Sequence, residues 1–212
     1  MTASSAGTAR TRTRRRSRAG KSGTAGQLFQ FARGFIKHPV MVGSIIPSSR
    51  QCISRMLRPV DWAATRVFVE YGPGVGTFTR PVLDRLSPDA VLIAIDTNPD
   101  FVTYLRREIA DPRLHCVAGS AADVCSILGD HGHEHADYIL SGLPFSTLPP
   151  GIGPRIAEQT AAALRPGGAF LVYQFSPKVH DFIVPHFDRI DRGFEPINIP
   201  PAQLFWAYRD ED

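Results

Sequence analysis

The sequence lacks the marks of a disulfide-stabilised or membrane-spanning protein. Its three cysteines, Cys52, Cys116 and Cys125, stand far apart and form no C-x-x-C pair, so neither a disulfide framework nor a zinc site is expected. No apolar run approaches the roughly 20 residues that cross a bilayer, and no hydrophobic segment of a signal peptide stands near the N-terminus. We therefore expect a cytoplasmic, reducing setting in which any membrane contact is peripheral.

Acidic residues are absent from the first 26 positions, which hold seven of the 24 Arg and Lys residues. The remaining 17 basic residues face all 20 acidic residues, so the body of the chain is slightly acidic. Because residues 1–26 contain few apolar groups, we predict a disordered basic tail. Its cations suit an anionic membrane surface or a nucleic acid. A tail without a partner and a transit peptide are the other interpretations.

The rest of the chain suits one compact α/β domain, since 43% of the residues are hydrophobic. Large apolar side chains recur at helical spacing over residues 27–37. They predict a helix that packs on the core or lies in a membrane interface. A second helix is predicted from about Ser49 to Leu57, before Pro59. We divide the chain into the tail (1–26), N-terminal helices (27–60) and a main domain (61–212).

A cofactor-binding turn is predicted after the apolar run that begins at Val67. The run ends in Glu70 and is followed by three alternating glycines, Gly72, Gly74 and Gly76. This pattern is typical of a buried strand that turns toward a helix. Glycines let the main chain approach a ligand with no side chain between them. The fingerprint G-x-G-x-x-G/A of NAD-binding proteins is not met, because threonine stands at its last position in either register.

A carboxylate follows the next apolar strand at an informative distance. Asp96 ends the run Val91–Ile95 and lies 20 residues beyond Gly76. A doubly wound fold places an acid there to accept hydrogen bonds from the two ribose hydroxyls of a cofactor. An acid at a strand end also often caps the following helix. The joint spacing favours the ribose interpretation, with Thr97 and Asn98 beside the ribose or the adenine.

The pattern Glu70-x-Gly72-x-Gly74-x-Gly76 resembles motif I of the class I S-adenosylmethionine-dependent methyltransferases. The resemblance implies that Glu70 and the glycines hold the methionine portion of S-adenosyl-L-methionine, and that S-adenosyl-L-homocysteine is the product. Similar enzymes commonly carry an acid after the glycine that follows the third strand. Ser120 and Ala121 stand there instead. The Ser120 hydroxyl is expected to hold the adenine amino group, with Asp123 as the alternative.

A second motif follows the fourth predicted strand. The segment Ser141-Gly-Leu-Pro-Phe145 stands where amino-methylating relatives carry N/D-P-P-Y/F or N-L-P-F. The resemblance implies that the carbonyls of Gly142 and Leu143 and the Ser141 hydroxyl accept hydrogen bonds from the acceptor amine, with Ser141 also beside the cofactor. Gly142 replaces the expected Asn, which disfavours a nucleobase as acceptor. No general base is obvious: Tyr173 and His180 are candidates.

Together with Gly43-Ser-Ile-Ile-Pro-Ser-Ser-Arg50, this motif resembles the bacterial phospholipid N-methyltransferases. The resemblance implies methylation of the amine of phosphatidylethanolamine or its methylated derivatives at the inner face of the membrane. The protein would be a monomer, with residues 27–60 as a lid over the cofactor and the tail and the 27–37 helix on anionic lipid. An rRNA adenine N6-dimethylase-like enzyme, a small-molecule amine methyltransferase, and a non-enzymatic membrane or nucleic-acid adaptor are the alternatives.

The alternation of strands and helices predicts a Rossmann-like, doubly wound α/β sheet of seven strands whose last strand is antiparallel. Two paired strands, Phe194–Ile199 and Gln203–Arg209, are expected to complete it. Three histidines lie between Gly129 and His135. We interpret them as part of a solvated loop and predict no metal site.

Overall fold

The computed structural model describes residues 49–198 and 200–210. The predicted basic tail and the predicted 27–37 helix lie outside these residues. Within them, strands and helices alternate as expected. The helices are α1 (Arg50–Met56), α2 (Thr79–Leu83), α3 (Pro99–Glu108), α4 (Val124–Asp130), α5 (Ile152–Ala163) and α6 (Val179–Ile183), and a 3-10 turn, Ala121–Asp123, precedes α4. The strands are β1 (Val67–Tyr71), β2 (Val91–Asp96), β3 (Leu114–Ala118), β4 (Ala136–Ser141), β5 (Leu164–Gln174), β6 (Arg189–Glu195) and β7 (Ala202–Tyr208).

The described strands form one seven-stranded sheet in the order β3-β2-β1-β4-β5-β7-β6. Strands β1 to β5 pair in parallel, and β7 is antiparallel to both β5 and β6. The predicted doubly wound sheet with an antiparallel last strand is confirmed.

The predicted bounds of the sixth strand are wrong, because β6 begins at Arg189 and ends at Glu195. Pro196 has no N-H to continue the ladder. The next N-H, that of Ile197, is donated to the Glu195 carboxylate instead of to β7. The chain therefore turns several residues earlier than the apolar pattern suggests.

Both faces of the central strands are covered, as in other parallel sheets. Alternate residues of β1, β2 and β4 enter two separate cores. Phe68, Leu92 and Leu140 lie in one core, and Val69, Ile93 and Ile139 lie in the other. This burial explains why the strands appear in the sequence as continuous apolar runs. Because both faces of the sheet are covered, a ligand site is expected among the loops at the carboxyl ends of the strands.

The strand order reverses between β1 and β4, which makes this the switch point of the sheet. Tyr71, the last residue of β1, is level with Ile95 of β2 and Ser141 of β4. The loops that follow the three strands therefore start side by side. In doubly wound folds, ligands bind in the crevice at this position.

Helix α1 confirms the helix predicted from about Ser49. The Ser49 hydroxyl caps it by accepting a hydrogen bond from the Cys52 N-H. The Ser49 N-H is donated to the side chain of Asn198, whose own amide donates to the hydroxyl of Tyr173. The chain thus enters the described structure at the carboxyl edge of the sheet. None of the described helices is long and apolar enough to cross a bilayer.

Candidate functional site

The glycine turn after β1 requires glycine for two reasons. Gly72, Gly74 and Gly76 have φ of 62°, 54° and 85°, a region that other residues enter only with strain. A Cβ on Gly72 would lie 2.9 Å from Cδ2 of Leu143, in the loop after β4. The turn is therefore a close contact between two loops as well as a reversal of the chain.

Glu70 lies beneath this turn and is buried. Its Oε2 accepts a hydrogen bond of 2.7 Å from the hydroxyl of Thr79, the first residue of α2. Burial raises the pKa of Glu70 to about 7, the Thr79 hydroxyl partly offsets this, and the charge of Asp96 adds to the rise. Through this contact the carboxyl group fixes the end of β1 against the helix that follows.

Asp96 ends β2 beside the turn, at the position that its spacing predicts. Its Oδ2 accepts from the Gly74 N-H at 3.4 Å and its Oδ1 from the Asn98 N-H at 2.9 Å. Burial raises the pKa of this carboxyl group, and the two N-H groups oppose the rise. Asn98 caps α3 by accepting from the Asp100 N-H, while Thr97 is exposed.

The segment after β3 adjoins the end of β2, because the Gly119 N-H is donated to the Asp96 carbonyl at 3.0 Å. Ser120 is half-buried, and its hydroxyl accepts from the Ala122 N-H. Ala121 is buried next to it. The Asp123 carboxylate instead forms an ion pair of 2.9 Å with Arg155 of α5. The structure therefore brings Ser120 and Ala121 to the Asp96 edge.

The loop after β4 packs directly on the glycine turn. The Gly142 N-H is donated to the Tyr71 carbonyl at 3.1 Å, and a Cβ on Gly142 would lie 3.5 Å from the Gly72 carbonyl oxygen. Ser141 is fully buried, and its hydroxyl accepts from the Leu143 N-H at 3.2 Å. The Leu143 carbonyl accepts from the Phe145 N-H. These bonds hold the loop in a compact turn over the end of β1.

A cavity of about 170 Å³ opens beside this loop, between the carboxyl ends of β4 and β5. No charged side chain is among its described lining residues, which are Gly142, Pro144, Ser146, Tyr173, Gln174, Phe175 and Ser176. Gln174 is only 5% exposed, and within the described structure neither its Nε2 nor its Oε1 has a hydrogen-bond partner. Sequence reasoning missed Gln174; the only signal was a polar residue at the end of an otherwise apolar strand.

The two candidate bases lie in different surroundings. Tyr173 lines the cavity, its hydroxyl accepts from the Asn198 amide at 3.2 Å, and its ring centroid lies 5.6 Å from that of Phe78. His180 lies on α6, where its ring is 6.2 Å from that of Phe205, and it is not a lining residue. The structure therefore places Tyr173, and not His180, beside the loop after β4.

The histidine segment lies at the other edge of the sheet. The ring of His131 contacts the Ile127 carbonyl at 2.8 Å and packs edge-on against His115. Over residues 49–198 and 200–210, no group of three or more His, Cys, Asp or Glu residues is arranged to hold a metal ion.

Comparison with known proteins gives this geometry a context. Residues 68–168 match the family described as a methyltransferase domain. Over 181 residues the chain is 33% identical to the ornithine lipid N-methyltransferase of Singulisphaera acidiphila, covering 84% of this chain and 94% of that protein.

Solved structures share the fold at low identity. One is the N-methyltransferase NodS from Bradyrhizobium japonicum in complex with S-adenosyl-l-homocysteine, with a TM-score of 0.65 at 14% identity over 87% of this chain and 99% of that one. Another is an O-methyltransferase from Bacillus cereus, also in complex with S-adenosylhomocysteine, with a TM-score of 0.62 at 14% identity over 91% and 94%. With the nearly full-length match to the lipid-modifying relative, these findings show that the chain belongs to the class I S-adenosylmethionine-dependent methyltransferases, in the family of the ornithine lipid N-methyltransferase.

Proposed function

We propose that this enzyme methylates the primary amine of a lipid head group at a membrane surface. The observation that carries the proposal is the 33% identity, over 94% of its length, to a protein named for the N-methylation of ornithine lipid. Phosphatidylethanolamine, which the sequence motifs favoured, presents the same chemical group on a different head group. The substrate class is therefore a lipid with a terminal amine.

The residues at the ends of β1, β2 and β3 fit S-adenosylmethionine. A carboxylate accepts up to about four hydrogen bonds, and the described residues supply two to Asp96. Acceptor capacity remains for the two adjacent hydroxyls of a ribose. The glycines leave the main chain open to the methionine portion, Glu70 fixes the turn beneath it, and Thr97, Asn98, Ser120 and Ala121 border the adenosine side.

The cofactor supplies a methyl group that its sulfonium already activates, so the protein's main task is to orient the acceptor amine. The loop Ser141-Gly142-Leu143 and the cavity next to it perform this task. Because none of the described residues that line the cavity carries a charged side chain, an ammonium group that enters it loses hydration without gaining a counter-ion from them. Such desolvation favours the neutral amine, which is the form that reacts. In this arrangement the amine releases its proton to water as it enters.

The lipid assignment is tested with labelled S-adenosylmethionine and vesicles that contain either ornithine lipid or phosphatidylethanolamine. RNA and small soluble amines serve as competing acceptors in parallel reactions. We expect label in at least one lipid amine. Label only in RNA, or only in soluble amines, would show that the lipid proposal is wrong.

The ribose assignment is tested separately by calorimetry of cofactor binding. Asp96→Asn removes the charge and two acceptor lone pairs, and hydrogen bonds to charged groups contribute about 1.5 to 3 kcal/mol. We expect S-adenosylmethionine to bind at least about 10-fold more weakly. Asp100→Asn, an exposed acid four residues further along, is the matched control and should bind like the wild type. Equal affinity of Asp96→Asn and the wild type would refute the assignment.

A further inference from the structure

Gln174 stands at the level of the acceptor loop on the neighbouring strand. Ser141, the last residue of β4, is in register with Val172 of β5. Strand β4 therefore ends, and the loop after it begins, two residues before the level of Gln174, the last residue of β5. Both Gly142 and Gln174 line the cavity of about 170 Å³. The ends of two adjacent strands thus bring the Gln174 side chain to the place where the amine is expected.

The Gln174 amide is left without partners in the described structure. Both of its polar atoms are buried and accept or donate no hydrogen bond there. Leaving a buried polar group unpaired costs about 1 to 3 kcal/mol, so each such group in a folded protein calls for an explanation. The sp³ torsions of glutamine occupy several staggered rotamers, so a change of rotamer can bring the enclosed amide to the cavity that this residue lines.

The composition of the acceptor loop supplies the explanation. Gly142 has no side chain, so at this position the loop after β4 offers the amine no side-chain carbonyl. We propose that Gln174 supplies this carbonyl. Its Oε1 atom accepts a hydrogen bond from the attacking amine and thereby directs the lone pair of the amine nitrogen toward the methyl group. This assignment rests on the proposed methylation of a lipid amine.

The hydrogen bond to Gln174 grows stronger as the reaction proceeds. The amine nitrogen gives its lone pair to the methyl carbon, the electron pair of the breaking carbon-sulfur bond stays with sulfur, and the nitrogen becomes positively charged until it releases a proton to water. A carbonyl oxygen that accepts a hydrogen bond from a nitrogen gaining positive charge forms a charge-assisted hydrogen bond, which is stronger than a neutral one. Interactions that strengthen toward the transition state raise kcat rather than lower KM. Gln174 therefore acts on the rate of transfer more than on lipid binding.

The test compares Gln174→Leu with the wild type on vesicles of the better lipid acceptor. Leucine has a similar size but no amide, so kcat is expected to fall about 10- to 100-fold with little change in KM. Affinity for S-adenosylmethionine should stay within twofold. Because an unpaired amide is removed, Tm should stay unchanged or rise. Gln203→Leu is the matched control, since Gln203 is the register partner of Gln174 on β7 and does not line the cavity; it should keep wild-type kcat.

The outcomes separate this assignment from the function on which it rests. If the wild type methylates neither lipid, the proposed function is wrong and the role of Gln174 is wrong with it. If the wild type methylates a lipid and Gln174→Leu keeps kcat within twofold, only the role of Gln174 is wrong. A parallel loss of Tm, cofactor affinity and kcat would show that Gln174 is a structural residue and would also overturn the assignment.

Discussion

Gly72 has a backbone conformation that strains any side chain, and the Leu143 side chain of the neighbouring loop would have to move to admit one. Gly72→Ala would place a methyl group 2.9 Å from Cδ2 of Leu143, at a φ of 62°. We expect a loss of about 1 to 3 kcal/mol in the free energy of unfolding and a weaker affinity for S-adenosylmethionine, measured by urea unfolding and calorimetry.

Gly129→Ala is the control for this prediction. Gly129 lies in α4, and a Cβ there would meet no atom within 4 Å. Because alanine favours a helix, the control should be as stable as the wild type or more stable by up to about 1 kcal/mol. Equal behaviour of the two alanine variants would contradict the argument from the turn.

The raised pKa of the Glu70 carboxyl group makes the stability of the protein depend on pH. Its pKa is raised to about 7 from a usual value of 4.5, so the folded state binds more protons than the unfolded state between these values, and stability falls as pH rises through this window. Glu70→Gln keeps the hydrogen bond from Thr79 and cannot ionise. The variant should have about the same free energy of unfolding as the wild type near pH 4.5, and a free energy of unfolding roughly 3 kcal/mol higher at pH 8.

Urea unfolding across this pH range measures the effect. Glu158→Gln, an exposed acid on α5, should follow the wild-type profile throughout. Parallel curves for Glu70→Gln and the wild type would mean that the Glu70 carboxyl group titrates normally in the folded protein.

Residues whose neighbours are close in sequence could be predicted, and those defined by contacts across the sheet could not. The positions of the three glycines and of Asp96 follow from the sequence, because each stands at or just after the end of one apolar strand. Gln174 was missed because the cavity that it lines together with Gly142, and the lack of a described partner for its amide, arise from contacts across the sheet. Neither property has a local signature.

At the scale of elements, Asp137 joins the starts of three strands. Its Oδ2 accepts from the N-H groups of Arg66 and Val67, both at 2.8 Å, and its Oδ1 accepts from Nε of Arg165 at 2.6 Å. In the Asp137→Asn variant an NH2 group replaces one carboxylate oxygen, so at least one of these hydrogen bonds is lost and two donor groups face each other. We expect a loss on the order of 3 kcal/mol in the free energy of unfolding, measured with urea.

The control is Asp89→Asn, which removes an exposed partner of Arg66 at 3.4 Å. Exposed ion pairs contribute little, so its urea midpoint should match that of the wild type. If both variants lost the same stability, the hydrogen bonds of Asp137 would not be what joins β1, β4 and β5.

Element types were predicted better than element ends. The apolar runs of β1, β2 and β4 are buried on both faces, so composition alone identifies them. Strand β6 is an edge strand with exposed residues, and its pairing with β7 depends on hydrogen bonds that leave no apolar pattern. Its start at Arg189 could therefore not be predicted from periodicity.

At the scale of the whole molecule, charge is divided between the tail and the body. Residues 1–26 hold seven basic residues and no acid, whereas the rest has an excess of acidic residues. Each cation contributes up to about 1 kcal/mol near an anionic membrane. A variant with these seven residues changed to Gln should lose affinity for anionic vesicles in a co-sedimentation assay and keep its rate on detergent-dispersed lipid.

The salt dependence of vesicle binding provides a second test, because salt screens the attraction between the basic residues and anionic lipid. Wild-type binding should weaken steeply with salt and the Gln variant should respond little. Salt-independent binding by both proteins would show that the tail does not carry membrane affinity.

The direction of β7 has a practical consequence. Because β7 runs in the direction opposite to the other six described strands, the chain after Tyr208 emerges at the amino edge of the sheet, on the side opposite the glycine turn and Gln174. Ser49, by contrast, is hydrogen-bonded at the carboxyl edge. A dye or a sensor-surface linkage attached after Asp210 would thus hold the enzyme with the carboxyl edge of its sheet facing the solution, where vesicles can reach it.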